Sequence, residues 1–299
     1  MNLEKSRMPS YGGQALIEGV LMRGKKYVTA AYRSPDGKII LSNEKLSGIY
    51  NSKINKIPFL RGLTILWDAI GLGTKYISRS ANIQAGEDEK IDGATLGLTV
   101  VISFLLAIGL FFLLPTGLVS ILQKFTQVSA FYSNILEGFI RLLFILLYIW
   151  AVGKSKDIRR VFTYHGAEHK TINAYESGAV LNCENVARHS LYHPRCGTGF
   201  ILILVFFSII VFSALGPIDN IILRLASRIL FLPVLVMLAY EFMRFSANHV
   251  STPILKYLSY PGMLMQRLTT FEPTPDILEV SISAFNNLLE LENDETVKP

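Results

Sequence analysis

Residues 94–114 read ATLGLTVVISFLLAIGLFFLL, 21 consecutive positions without a charge. A helix rises about 1.5 Å per residue, so the run spans about 30 Å, the thickness of a bilayer's hydrocarbon core. Read as a transmembrane helix, it sets the class of the whole chain. Composition agrees: of 299 residues, 51% are hydrophobic and only 17% charged, with a mean hydropathy of +0.38, whereas a soluble domain carries nearer a quarter charged residues. Residues 1–13 are polar and hold no apolar segment, so the run at 94 is expected to be a span and not a cleaved signal.

Three further apolar runs follow, at about 136–153, 198–216 and 222–243. Pro115 should end or kink the first. The second contains Arg141 one turn after Glu137, and the fourth carries Arg224 and Arg228 near its start; these arginines are expected to snorkel to the interface. Lys and Arg number 14 in residues 1–93, one in 115–133, seven in 154–197, none in 217–221 and four in 244–299. This alternation predicts four spans in the cell membrane with both termini cytoplasmic, Arg224 and Arg228 being the exceptions at the outer end. The net charge of +6 follows the spans, so a bilayer and not a nucleic acid is the expected partner. Two cysteines, Cys183 and Cys196, give no disulfide framework.

The expected fold is therefore an α-helical membrane protein with about four transmembrane helices, a small N-terminal antiparallel β-sheet and cytoplasmic helices. It divides into a cytoplasmic N-terminal part (1–93), a first transmembrane hairpin (94–153), a cytoplasmic loop (154–197), a second hairpin (198–243) and a cytoplasmic C-terminal segment (244–299). In the N-terminal part, 14–22 reads as one strand, and 27–33 and 38–42 flank the turn Ser34-Pro35-Asp36-Gly37. Glu18 interrupts the apolar pattern of the first strand, as a solvated residue or a functional one. Residues 59–80 read as an interfacial amphipathic helix with Trp67 at headgroup level, or alternatively a helix packed on the sheet. Residues 82–93, with Glu87-Asp88-Glu89-Lys90, read as a solvated linker. Thr274-Pro275-Asp276 opens a C-terminal amphipathic helix, and 292–299 reads as a disordered tail.

The chemistry sits between the second and third spans. His165-Gly166-Ala167-Glu168-His169 is H-x-x-E-H, within a stretch from about 157 to 176 that is helix-compatible and stopped by Gly178. On a helix, positions i, i+3 and i+4 share a face, so two imidazoles and a carboxylate point one way. Two histidine ligands and a glutamate general base are the parts of a zinc hydrolase site. A catalytic divalent metal, zinc by donor type, needs a third protein ligand. His193 and Cys196 lie just before the third span, which should start near the end of the second. Glu176, Glu184, Glu18 and His249 are rivals. Glu168 is the expected base, and Lys170 or Arg195 the groups that meet negative charge on substrate. Glu241 and Arg244, three apart, read as a structural ion pair.

Gly12-Gly13-Gln14-Ala15-Leu16-Ile17-Glu18-Gly19-Val20-Leu21-Met22-Arg23-Gly24 resembles the opening motif of the YqhQ family. Tyr164-His165-Gly166-Ala167-Glu168-His169-Lys170, His193-Pro194-Arg195-Cys196-Gly197-Thr198, Gln266-Arg267-Leu268-Thr269-Thr270 and Glu279-Val280 are similar to the same family. The resemblance covers about residues 11–290. It implies a bacterial multi-pass membrane protein of unknown function, of a kind labelled a predicted metal-dependent enzyme. That label rests on the same His/Glu pattern and adds no mechanism. Three functions are expected to compete: a metal-dependent hydrolase acting on a membrane-bound substrate (a lipid, an isoprenoid conjugate or a peptide), a non-catalytic scaffold, and a transporter. The last would need a homo-oligomer, since four spans with few charges make a poor ion path. No Gly-x-x-x-x-Gly-Lys motif is present for ATP-driven work.

Overall fold

The computed structural model describes residues 11–85, 93–126, 129–248 and 252–294. His249, the acidic run 87–90 and the tail 295–299 lie outside them. Four strands come first: β1 (Gly12–Leu16), β2 (Gly19–Arg23), β3 (Tyr27–Arg33) and β4 (Ile39–Lys45), an antiparallel meander in chain order. The single strand expected over 14–22 is two strands folded at Ile17-Glu18, with Leu16 opposite Gly19. Glu18 makes the turn with a left-handed φ of 51°. The turn is hidden in the sequence because β2 is buried on both faces and reads as a continuous apolar run. The turn at Ser34–Gly37 forms as expected, Gly37 N–H donating to Ser34 O at 2.9 Å.

Next come α1 (Leu60–Trp67) and α2 (Gly73–Ala85), joined by a π-helical turn at Asp68–Leu72. The stretch expected to be one helix is helical throughout 60–85, with a π-helical turn inside it, and its second half takes the alternative place, packed on the sheet. From α2, Tyr76 packs on Leu16, Leu21, Val28, Ala30 and Tyr32 of the sheet.

The first long apolar segment comprises α3 (Gly93–Ile108) and α4 (Leu114–Gln123), continuous through a π-helical turn at Gly109–Leu113. Pro115 does not end it. A proline has no N–H for the carbonyl four residues back and its ring crowds that turn. The wider turn takes up the ring, and Phe111 O accepts instead from Arg141 Nε at 2.8 Å. Leu98, Leu105 and Leu106 are each more than 60% exposed, a surface suited to lipid.

There follow α5 (Ala130–Val152), α6 (Lys156–Glu176), α7 (Cys183–Ala187), α8 (Gly197–Ala214), α9 (Ile221–Leu230), α10 (Leu232–Asn248), α11 (Pro253–Met265) and α12 (Pro275–Asp294). Among the described residues, three helices are long and apolar enough to cross a membrane, or four if α9 and α10, bent by 42°, count as one broken span. Glu241 on α10 pairs with Arg61 of α1, not with Arg244. Ile145 and Ile149 of α5, Val205 of α8 and Met265 of α11 form the bundle's core. The C-terminal helix α12 starts where Thr274-Pro275-Asp276 predicts; it runs to Asp294, so residues 292–294 are helix and not tail. Its Ile277, Leu278, Phe285 and Leu288 pack with Tyr164, Ala167 and Ile172 of α6 against the sheet's second face, at Val20, Met22 and Ala31. The sheet is thus held between α2 on one side and α6 with α12 on the other, and α6 belongs to this unit while following directly from a candidate span.

Candidate metal centre

Two glycines let other segments close on α6. A Cβ on Gly166 would lie far inside contact with the Phe271 carbonyl, and one on Gly13 would lie 2.6 Å from Glu168 Cγ. Hence the segment after α11 and the β1 backbone both reach the H-x-x-E-H turn. Gly166→Ala should cost about 1–3 kcal/mol or more through overpacking against backbone. The check is a lowered thermal midpoint of detergent-solubilised protein; an unchanged midpoint would contradict the contact.

The segment after α11 fixes one histidine. His165 Nδ1 lies 2.9 Å from Thr269 O, and His169 Nδ1 lies 2.5 Å from Leu191 O. A carbonyl can only accept, so each Nδ1 carries the proton and each Nε2 keeps a free lone pair. Both Nε2 atoms turn inward. His165 Nε2 is 3.3 Å from Cys196 Sγ, and the ligand atoms of His165, His169 and Cys196 all lie within 4.8 Å of one another. Cys196 caps α8, its Sγ accepting from Thr198 N–H at 3.4 Å; this is the helix end where the dipole favours negative charge. Two imidazoles anchored through Nδ1 and one thiol form a donor set that fits a zinc-type divalent ion.

Glu168 completes the group. Its Oε2 is 3.7 Å from His165 Nε2 and 3.9 Å from His169 Nε2. Burial pushes its carboxyl up to about 7, against the opposing pull of His165 and of the Gly13 N–H. His169 is buried, and His165 keeps 17% of its side chain exposed, the group's contact with solvent.

The other sequence candidates are turned elsewhere. Gln266 clamps the His193 backbone, accepting from its N–H and donating to its carbonyl, both at 2.9 Å; the ring then faces Glu176, with Nε2 3.6 Å from Oε2. Burial lowers the His193 pKa, against the raising effect of Glu176. Glu18 is bound by Arg160 and by the Tyr164 hydroxyl at 3.1 Å. Glu176 is also held by Arg195, and Glu184 pairs with Arg188. Lys170 donates to Ala187 O and pairs with Glu272, both at 2.6 Å. Lys170 and Arg195, expected to face substrate, are thus committed to carboxylates of their own.

A Bacillus subtilis (strain 168) protein described as "Uncharacterized protein YqhQ" is 36% identical over 310 residues, covering 97% of this chain and 96% of the relative. The chain belongs to the YqhQ family. A family described as "Protein of unknown function (DUF1385)" matches residues 57–291, which include the His/Cys group. No solved structure matches the chain. Neither description names an activity, so the chemistry of this YqhQ-family protein has to be argued from its residues.

A second polar cluster lies among the apolar helices. Glu137 on α5 accepts from Arg141 at 2.9 Å, from Arg228 at 2.8 and 2.9 Å, from Arg224 at 3.3 Å and from Thr116 Oγ1 at 2.9 Å. Glu137 and Arg141 are 1% exposed, and Arg228 2%. The arginines expected to snorkel turn inward instead, Arg141 to the carboxylate one turn before it on α5 and Arg224 and Arg228 to the same carboxylate from α9. The signal in the sequence is two i, i+4 pairs, Glu137/Arg141 and Arg224/Arg228, inside apolar runs.

Proposed function

We propose that this chain is a metal-dependent membrane enzyme of the zinc-hydrolase type, its site at the cytoplasmic membrane face. The observation that carries the reading is the convergence of His165 Nε2, His169 Nε2 and Cys196 Sγ, with Glu168 beside them. Three protein ligands leave one position open, as a catalytic site requires. When bound, the ion supplies Lewis-acid polarisation of water or of a substrate carbonyl. The protein's own residues do the rest. Thr269 O and Leu191 O hold the imidazoles in one tautomer and orientation. Glu168, within 4 Å of both Nε2 atoms, is placed to take a proton from water and return it to a leaving group. The enclosure of Glu168, His169 and Cys196 excludes bulk water. The Lys/Arg distribution supports four spans in the cell membrane with both termini inside, and α6 and α8 tie the group to two of those spans. A substrate held in the bilayer would reach it from the His165 side.

A second reading is a structural ion that fastens three separate segments: α6, the start of α8 and residues 266–270. The same enclosure favours it, because structural sites are closed.

Elemental analysis of protein purified without chelator tests both. About one equivalent of metal per chain is expected, with loss from His165→Ala and from His169→Ala. Absence of stoichiometric metal from the wild type would overturn both readings, and full retention in both variants would move the site. Glu168→Gln separates the readings: an enzyme keeps its metal and loses turnover of a membrane-bound substrate, whereas a structural site keeps any turnover unchanged.

A further inference from the structure

The end of the bundle opposite the His/Cys group holds a cavity of 690 Å³. Helix α5 runs from Asn134, on its wall, to Val152 beside α6, so the two sites occupy opposite ends of the candidate spans. Arg224, Arg228, Asn134 and Gln123 line the cavity, together with apolar side chains such as Leu113 and Leu225. Lys124 and Asp219, both exposed, also stand on its wall.

Charge decides what belongs there. Three guanidiniums, Arg141, Arg224 and Arg228, face one buried carboxylate, Glu137. Buried charge in an apolar bundle demands a partner. Arg141 is provided for by Glu137, Ser208 and the Phe111 carbonyl, and Arg228 by Glu137, Asn134 and Ser227. Arg224, by contrast, has Glu137 at 3.3 Å and Gln123 as hydrogen-bond partners and lies on the cavity wall. The cluster is two positive charges in excess of Glu137. The cavity falls within the roughly 300–1,000 Å³ range of ligand sites, with cationic and apolar lining together.

We propose that this cavity binds the phosphate headgroup of an anionic lipid, with Arg224 contacting the phosphate oxygens, Lys124 supplying further positive charge from the cavity wall, and the apolar wall receiving the first part of the chains. Guanidinium forks match phosphate oxygens, and an amphiphile satisfies both kinds of lining where a free ion satisfies one. The inference rests on insertion of the bundle in a bilayer and not on the metal at the other end. With both termini cytoplasmic, the bound lipid belongs to the outer leaflet.

The test is a thermal-shift titration of the full chain in nonionic detergent with phosphatidylglycerol, with phosphatidylcholine of the same chains, and with inorganic phosphate. A saturable upward shift with phosphatidylglycerol alone is expected. Arg224→Gln should weaken it at least about tenfold, and Lys124→Gln, at an exposed position that cannot unfold the bundle, several-fold. An equal shift with phosphatidylcholine would overturn the anion site. A full shift with inorganic phosphate would overturn the lipid as its source. Unaltered binding in both variants would overturn the location. Insertion is scored separately: release of the chain from membranes by alkaline carbonate without detergent would refute it, whatever the titration gives.

Discussion

Glu137→Ala should destabilise the helical bundle by at least about 3–5 kcal/mol, the range for breaking a buried ion pair by removing one partner. Five hydrogen bonds end on this carboxylate, from Thr116, Arg141, Arg224 and, twice, Arg228. Truncation would strand three guanidiniums among apolar helices. Arg141 would keep Ser208 and the Phe111 carbonyl, so the π-helical turn before Pro115 would keep its external donor. Arg228 would keep Asn134 at 2.9 Å. None of these three partners carries negative charge. Glu137→Gln preserves an acceptor and the shape but not the charge, so it should fall between wild type and alanine. The measurement is the thermal midpoint in detergent beside the membrane yield. A midpoint for Glu137→Ala within a degree of wild type would mean that the cluster does not close on Glu137. The double variant Glu137→Leu/Arg228→Leu removes charges of both signs, and should recover part of the loss seen with alanine.

That cluster also marks where reading the sequence stops. Each apolar run is visible in one dimension, because hydrophobicity and length are properties of a segment; α5 and α8 fall close to where the runs predict. Which charges inside the runs meet is a property of the packing. Glu137 and Arg228 are 91 residues apart, and no periodicity links them. Pro115 does not end its helix for a related reason: the carbonyl it leaves without a donor is met by Arg141 from another helix. The N-terminal sheet is legible as a sheet but not in its strand count, since the left-handed residue of the turn is Glu18 and not the adjacent Gly19, inside a run that otherwise reads as one apolar strand. The helix α11 goes unforeseen, with Pro261 inside it. At the candidate site, helical spacing alone places His165, Glu168 and His169 on one face. Cys196 joins them because it caps α8, whose start meets His165 of α6. His193, three residues earlier in the same loop, is turned away by the Gln266 clamp on its backbone, which the sequence does not display.

In chelator-treated protein above neutral pH, Glu168→Gln should be more stable than wild type, although it removes a residue assigned to catalysis. Burial raises the Glu168 carboxyl from an ordinary value near 4.5 to about 7. The folded state therefore binds the proton more tightly than the unfolded chain does. The stability contributed by this proton is fully present below about pH 4.5 and is lost as pH rises through about 7. Above that, the ionised carboxylate sits in a dry site at a penalty of about 3 kcal/mol, taking 1.36 kcal/mol per pH unit. Glutamine cannot ionise, and its carbonyl can still accept the Gly13 N–H. The thermal midpoints of the two metal-free proteins should thus converge near pH 5 and separate towards pH 8. At about 2–4 °C per kcal/mol for a larger domain, the gap at pH 8 would be roughly 6–12 °C. Adding zinc should narrow or reverse it, because a cation held by His165, His169 and Cys196 favours the ionised form of the neighbouring carboxylate. A gap independent of pH would refute the linkage to Glu168, and a gap that zinc leaves untouched would separate Glu168 from the metal group. Stability given up at one buried carboxylate in the metal-free chain is what a site organised around a cation should display, since the charge it holds out of water is the one the cation neutralises.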